Sequence, residues 1–191
     1  MTSSVVFALL SATIVSAVAA PPAVAPKPVA PPKAAPAPAA TAEDCNVVDP
    51  LKIKAANESG VWKVTLGPND VLDFGANEAE AKHAVEIIQH YHFTRECFVR
   101  RPNASMMYWK NGVAVPPGNM PGQDCITLHP EAVQALYAAR WKVMDGPLWL
   151  LDYGADQAAA LEAAKIIHSY SLNRECFIAR PHVVMQYWLA E

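Results

Sequence analysis

The residues able to do chemistry come in pairs. Asp73 sits in Leu72-Asp73-Phe74-Gly75-Ala76 and Asp152 in Leu151-Asp152-Tyr153-Gly154-Ala155. A carboxylate on an apolar strand can act as a general acid or base. It can equally accept from turn or helix-start amides, or pair with an arginine such as Arg95 or Arg101, and that structural role is the one expected here. Glu96 and Glu175 each precede a cysteine, beside Arg95 and Arg174. Adjacent strand residues point to opposite faces, so these Arg-Glu neighbours do not pair within one strand. They read as solvated or cross-strand charges. Of the six histidines, His83 and His90 share a helix face, but Glu162 and Ser169 stand at the equivalent places in the second half of the chain. No nucleophile–His–acid set is common to both halves, and no Gly-rich loop is built to cradle a phosphate. Catalysis is therefore not the leading reading. A small hydrolase using Asp73 or Asp152 stands third.

Aromatic side chains are the stronger candidates. Trp62, Tyr108 and Trp109 recur as Trp141, Tyr187 and Trp188, with Trp149 added in the second half. Tyr and Trp side chains stack well on sugar rings and often anchor protein contacts. In each Tyr-Trp pair one ring must face away from the other. The outward ring either forms a ligand surface or packs the two halves together. Arg101 and Arg180, each just before a proline, would supply hydrogen bonds at the rim of such a surface.

These residues are positioned by a duplication. From Trp62 to Trp109 the chain repeats at a constant offset of 79 residues, through Trp141 to Trp188, with about half the positions identical. Cys45 and Pro50 match Cys125 and Pro130 at offset 80. Each unit reads as a strand (Trp62–Leu66), a turn (Gly67-Pro68-Asn69-Asp70), a second strand (Val71–Phe74) and a helix to about Tyr91. A third strand (Glu96–Arg100), a turn at Pro102 and Asn103, and a fourth strand (Ser105–Trp109) follow. Asn77 with Glu80 looks like a capping box, and Asp156 takes the cap position in the second unit. Pro130–Ala139 has the composition of a short helix, whereas Asp49–Ala56 has no clear pattern. The expected fold is α+β: two tandem ββαββ modules, each an antiparallel sheet with one helix on a face.

Cys45, Cys97, Cys125 and Cys176 give three possible connectivities. The duplication favours Cys45–Cys97 and Cys125–Cys176, because each module then closes itself. No CxxC motif exists and no histidine keeps its place between units, so neither a metal nor another cofactor is expected. Val5 to Ala20 is an apolar run ending in Ala17-Val18-Ala19, as a cleavable export signal does. The segment up to Ala42 is almost entirely Ala, Pro and Val, and eight of the 17 prolines fall between Pro21 and Pro38. Proline removes the donors that helices and sheets need. The expected organisation is a signal at 1–19, a Pro/Ala linker at 20–42, module one at 43–110, an inter-module linker at 111–123 and module two at 124–191. Lys27 and Lys33 lie in the arm, which leaves 13 basic and 18 acidic residues in the modules, a net of −5. That balance argues against nucleic acid as a partner, and no stable membrane span is expected after signal cleavage.

The unit Trp-Lys-Val…Leu-Asp-Phe/Tyr-Gly…Ile-Ile…Tyr…Arg-Glu-Cys-Phe…Arg-Pro…Tyr-Trp resembles a tandemly repeated Cys-containing module of secreted or surface microbial proteins. No activity comes with that resemblance. The order of its elements is loosely similar to the peptidoglycan-binding SPOR pattern, without transferable residues. Together these features imply a secreted, extracellular, non-catalytic binding protein. Carbohydrate of a cell wall or surface is the first ligand class, bound through Trp62, Tyr108, Trp109, Trp141, Trp149, Tyr187 and Trp188 with Arg101 and Arg180. A surface or extracellular protein partner, bound or inhibited, is the second. Asn57 and Asn103 open N-glycosylation sequons that would matter in a eukaryotic secretory pathway.

Overall fold

A computed structural model of the chain describes residues 43–67, 70–102, 104–111 and 120–190. The expected signal, the Pro/Ala arm, Pro68-Asn69 of the first turn, Asn103 and the centre of the inter-module linker lie outside the described residues. All described residues fall within one compact unit, Lys33–Glu191.

Repeat one contains β1 (Asp44–Val47), β2 (Ala55–Glu58), β3 (Val61–Gly67), β4 (Asp70–Asp73), α1 (Glu78–His90), β5 (Phe93–Val99) and β6 (Met106–Asn111). Repeat two follows the same order with β7 (Asp124–Thr127), β8 (Val133–Tyr137), β9 (Trp141–Asp145), β10 (Leu148–Gly154), α2 (Gln157–Ser169), β11 (Arg174–Ile178) and β12 (Met185–Leu189). The α+β class and the four expected strands per repeat are present. Each repeat also has two short strands that local pattern did not reveal, and its strands divide between two antiparallel sheets. These are β2-β3-β4 and β1-β5-β6 in repeat one, and β8-β9-β10 and β7-β11-β12 in repeat two.

The short helix expected at Pro130–Ala139 is a correction. Only Pro130–Ala132 forms one 3-10 turn, and Val133–Tyr137 is a strand. The alternation of Val133, Ala135 and Tyr137 toward the core decides it, because they pair with Asp145, Val143 and Trp141 of β9.

Local chemistry fixes the helices as the sequence predicts. The Asn77 side chain accepts the Glu80 N–H at 3.2 Å and Asp156 accepts that of Ala159 at 3.0 Å, so each helix start has one orphan donor satisfied. Before each helix the chain turns through Gly75 (φ +56°) or Gly154 (φ +58°), a conformation an L side chain rarely adopts. The disulfides are Cys45–Cys97 and Cys125–Cys176, each within one repeat and each between directly paired strands.

The core is not partitioned by repeat. In one cluster Ala81, Ala84, Ile87 and Ile88 of α1, with Val64 and Leu72 of its small sheet, pack on Ile178, Met185, Tyr187 and Leu189 of repeat two. In the other, Ala159, Ala160, Ala163 and Ile167 of α2 pack with Val143 and Leu151, and meet Cys97, Val99, Met106 and Tyr108 of repeat one. Each helix thus joins its own small sheet to the other repeat's disulfide-bearing sheet. The two repeats exchange cores.

Candidate functional site

Six of the seven aromatic candidates are drawn into this crossed core. Tyr108 and Trp188 belong to the core of α2, and Trp109 and Tyr187 to that of α1. Adjacent residues of β6 and of β12 therefore enter different cores, because both faces of these strands are covered. Even Trp109 keeps only 4% of its surface exposed. Its Nε1–H donates to the Gln186 carbonyl at 3.0 Å, across the repeats. Trp141 is buried beside Tyr137. Trp62 is half-buried against the first core, with the Lys82 ammonium 5.7 Å from its ring centre. Burial pushes the Tyr108 and Tyr187 phenols well above the usual tyrosine range.

The two arginines act as clips inside their own repeats. The Arg101 guanidinium donates to Asp44 and, at 3.2 Å, to Asn46, and lies 4.4 Å over the Phe98 ring. It holds the Asp44 carboxyl below the usual carboxylate range. Arg180 repeats the arrangement, 3.0 Å from Asp124 and 3.9 Å over Phe177. Asp73 and Asp152 take the structural role expected of them. Each accepts the N–H of the glycine two residues on, at 2.8 Å, and Asp152 also pairs with Arg140 at 3.1 Å.

Of the two roles expected for Glu96 and Glu175, solvated or cross-strand, the solvated one is overturned, since both are buried, and the cross-strand one is seen. Glu96 accepts from Asn46, and Glu175 accepts from the Gln186 amide. Loss of water pushes the Glu175 carboxyl up to about 7, against the opposing effects of the Gln186 hydrogen bond and the Arg180 charge.

Trp149 is different. It is 54% exposed, and the register of the β8-β9-β10 sheet sets it in one row with Met144 and Gln134 on the face away from the core. The neighbouring row on that face is Leu136, Lys142 and Asp152. Leu136 is 45% exposed and the Lys142 ammonium lies 4.4 Å from the Trp149 ring centre, within cation–π range. The equivalent residues of repeat one are Ala56, Thr65 and Asp70 in place of Leu136, Met144 and Trp149. Its outer row instead carries the Lys63–Glu58 ion pair at 2.9 Å. At these sequence positions repeat two carries the larger, more apolar residues, whereas by register Val71 rather than Asp70 faces Thr65 in repeat one. Sequence reasoning named Trp149 but missed Leu136, Met144 and Lys142. The aligned repeats show Leu136 and Met144 as larger and more apolar than Ala56 and Thr65, but only the sheet register places them, with Lys142, beside Trp149.

A cleft of about 210 Å³ opens between the ends of β6 and β12, with Tyr108, Trp109, Trp188 and Tyr170 among its walls. Small-ligand sites usually enclose roughly 300–1,000 Å³, so it is undersized for one. Lys110, also on its wall, pairs with Glu43 at 2.5 Å and with the Tyr170 hydroxyl at 2.6 Å. Among the described residues no group of three His, Cys, Asp or Glu side chains converges to hold a metal. No described helix is long and apolar enough to cross a membrane. Asn57, the first residue of its sequon, is exposed, with its side-chain oxygen accepting the Gly60 N–H at 3.0 Å.

Comparison with known proteins finds no matching family model, curated protein or solved structure.

Proposed function

We propose that this chain is a secreted, non-catalytic binding protein that engages a protein partner through the outer face of β8-β10, with Trp149 as the anchor. The observation that carries this reading is the row of Leu136, Met144 and Trp149 on the outer face of repeat two, at sequence positions where repeat one has Ala56, Thr65 and Asp70. An exposed Trp is among the residue types most enriched in protein hot spots, and Met is enriched at interfaces. Two oxidised cysteine pairs and the apolar, small-residue start of the sequence support export. Carbohydrate, the ligand class suggested by the shared aromatics, retains Trp149 as its one open stacking platform among them.

The test compares wild type with Trp149→Ser on a glycan array and on native cell-surface material, with and without proteinase treatment. The expected result is saturable binding to proteinase-sensitive material and a blank array. Truncation at a hot spot costs 2 kcal/mol or more, so the variant should bind roughly 30-fold more weakly. Binding that survives proteinase and maps to a glycan would transfer the face to carbohydrate. Equal binding by both proteins would remove the face from the function.

A further inference from the structure

Among the described residues all strand pairing lies within a repeat, since each sheet draws its three strands from one copy. Both disulfides also lie within a repeat. What joins the repeats is side-chain packing and a set of polar links. In the α1 core, Tyr91 and Phe93 of repeat one lie against Tyr187 of repeat two, with ring centres 6.3 and 6.1 Å apart. In the α2 core, Tyr108 lies 6.3 Å from Tyr170. Gln186 accepts the Met107 N–H at 3.1 Å through its side chain. Ser105 donates to the Asp152 carbonyl at 3.0 Å, and Gln123 donates to the Tyr91 and Tyr187 hydroxyls at 2.8 and 3.1 Å. Each repeat therefore offers its sibling a large, specific and mostly apolar surface. The covalent path between described parts of the two copies is the short stretch from Asn111 to Met120.

None of these contacts depends on that connection. The same surface is satisfied when repeat one of one chain meets repeat two of another. We propose that the inter-repeat surface is a self-recognition surface whose second partner is another copy of this chain, with the repeats exchanged between the two. The exchanged dimer makes every core contact of the monomer, so the balance is set by connection and concentration. A short tether gives an intramolecular partner an effective concentration in the millimolar range. Exchange of an identical element is a low-cost route to a dimer.

Two experiments on the full chain, with its disulfides intact, test this. The first refolds wild type and Trp149→Asp from denaturant at concentrations from ~10 µM to ~1 mM, the upper value matching the tether's effective concentration, and reads mass by light scattering. A dimer fraction that rises with concentration in both proteins is expected. Monomer at every concentration, or a dimer lost in Trp149→Asp, overturns the proposal, the latter assigning the dimer to the outer face of β8-β10. The second refolds Ile88→Asp and Tyr187→Asp chains, separately and mixed. Each variant breaks the α1 core within its own chain. In a mixed exchanged dimer, the intact repeat one of the Tyr187→Asp chain meets the intact repeat two of the Ile88→Asp chain. The other half of that dimer carries both substitutions, so a species of doubled mass with one native half, formed in the mixture alone, is the expected result. Absence of any such species overturns the exchange.

Discussion

The two small sheets of this protein, β2-β3-β4 and β8-β9-β10, share most of one side and differ on the other, apart from the inward Leu66 of the first, which is Asp145 in the second. Their inner faces carry Val64 and Leu72 against Val143 and Leu151, the same residues in the same places. Their outer faces carry Ala56, Thr65 and Lys63 against Leu136, Met144 and Lys142. An inward position is held by the volume of its neighbours, since interiors are close-packed and a methylene is felt. An outward position answers only to solvent or to a partner. Divergence between the copies therefore separates what the fold needs from what one copy alone does, and it points to repeat two.

The sharpest way to break the comparison is to attack the shared interior. Tyr187→Ala and Trp188→Ala are neighbouring truncations in β12, each expected to cost about 3–5 kcal/mol as large aromatic-to-Ala core changes do. Hydrogen exchange should show the first loosening α1, in the other repeat, and the second loosening α2. Both effects appearing in α2 would contradict crossed cores. Next comes removal of a disulfide. Replacing Cys125 and Cys176 together with Ala should lower stability by about 2–5 kcal/mol in denaturant titration. Unfolding should remain a single transition, because each core still needs both repeats.

A smaller effect tests the buried carboxylates. The folded pKa of Glu175 is raised to about 7 by burial, so the native state holds its proton more tightly than the unfolded chain does. Its contribution to stability is present in full below the unfolded pKa of about 4.5 and is lost as pH rises toward 7. Over that window the loss is on the order of 3 kcal/mol. Glu175→Gln should flatten the stability profile between those pH values and leave the protein more stable at neutral pH. An unchanged profile would mean that Glu175 titrates normally. The smallest stability effect belongs to the outer face. Trp149→Asp, which installs the repeat-one residue, should shift stability by no more than about 0.5 kcal/mol, as exposed substitutions usually do, while reducing partner binding. A large loss of stability would make Trp149 a structural residue.

The duplication, both disulfide pairings and both helix caps were legible in the sequence. Residue identity and local hydrogen-bond chemistry determine them. The strand at Val133–Tyr137 was not, because its alternation is short and Pro130 with Glu131 imitates a helix start. The fate of Tyr108 and Trp109 was half legible. Strand alternation requires one ring on each face, but it cannot reveal that both faces are covered. That coverage comes from α1 and α2, each reaching the other repeat's sheet, a pairing no local period encodes. Glu96 and Glu175 were half legible for the same reason: a cross-strand partner follows from strand pairing, but their burial does not. Trp149 stood out as an aromatic without a counterpart, and its three neighbours needed the sheet register to be seen.

The crossed cores also change what a cut in the backbone means. A protease acting between Asn111 and Met120 severs the one covalent path between the described parts of the repeats, since neither disulfide bridges them. The product is a two-chain heterodimer that runs as two bands on a denaturing gel, even without reductant, yet keeps its native mass in solution. Clipping in this protein is then an assembly change without dissociation, and fragment size on a gel misreports the particle.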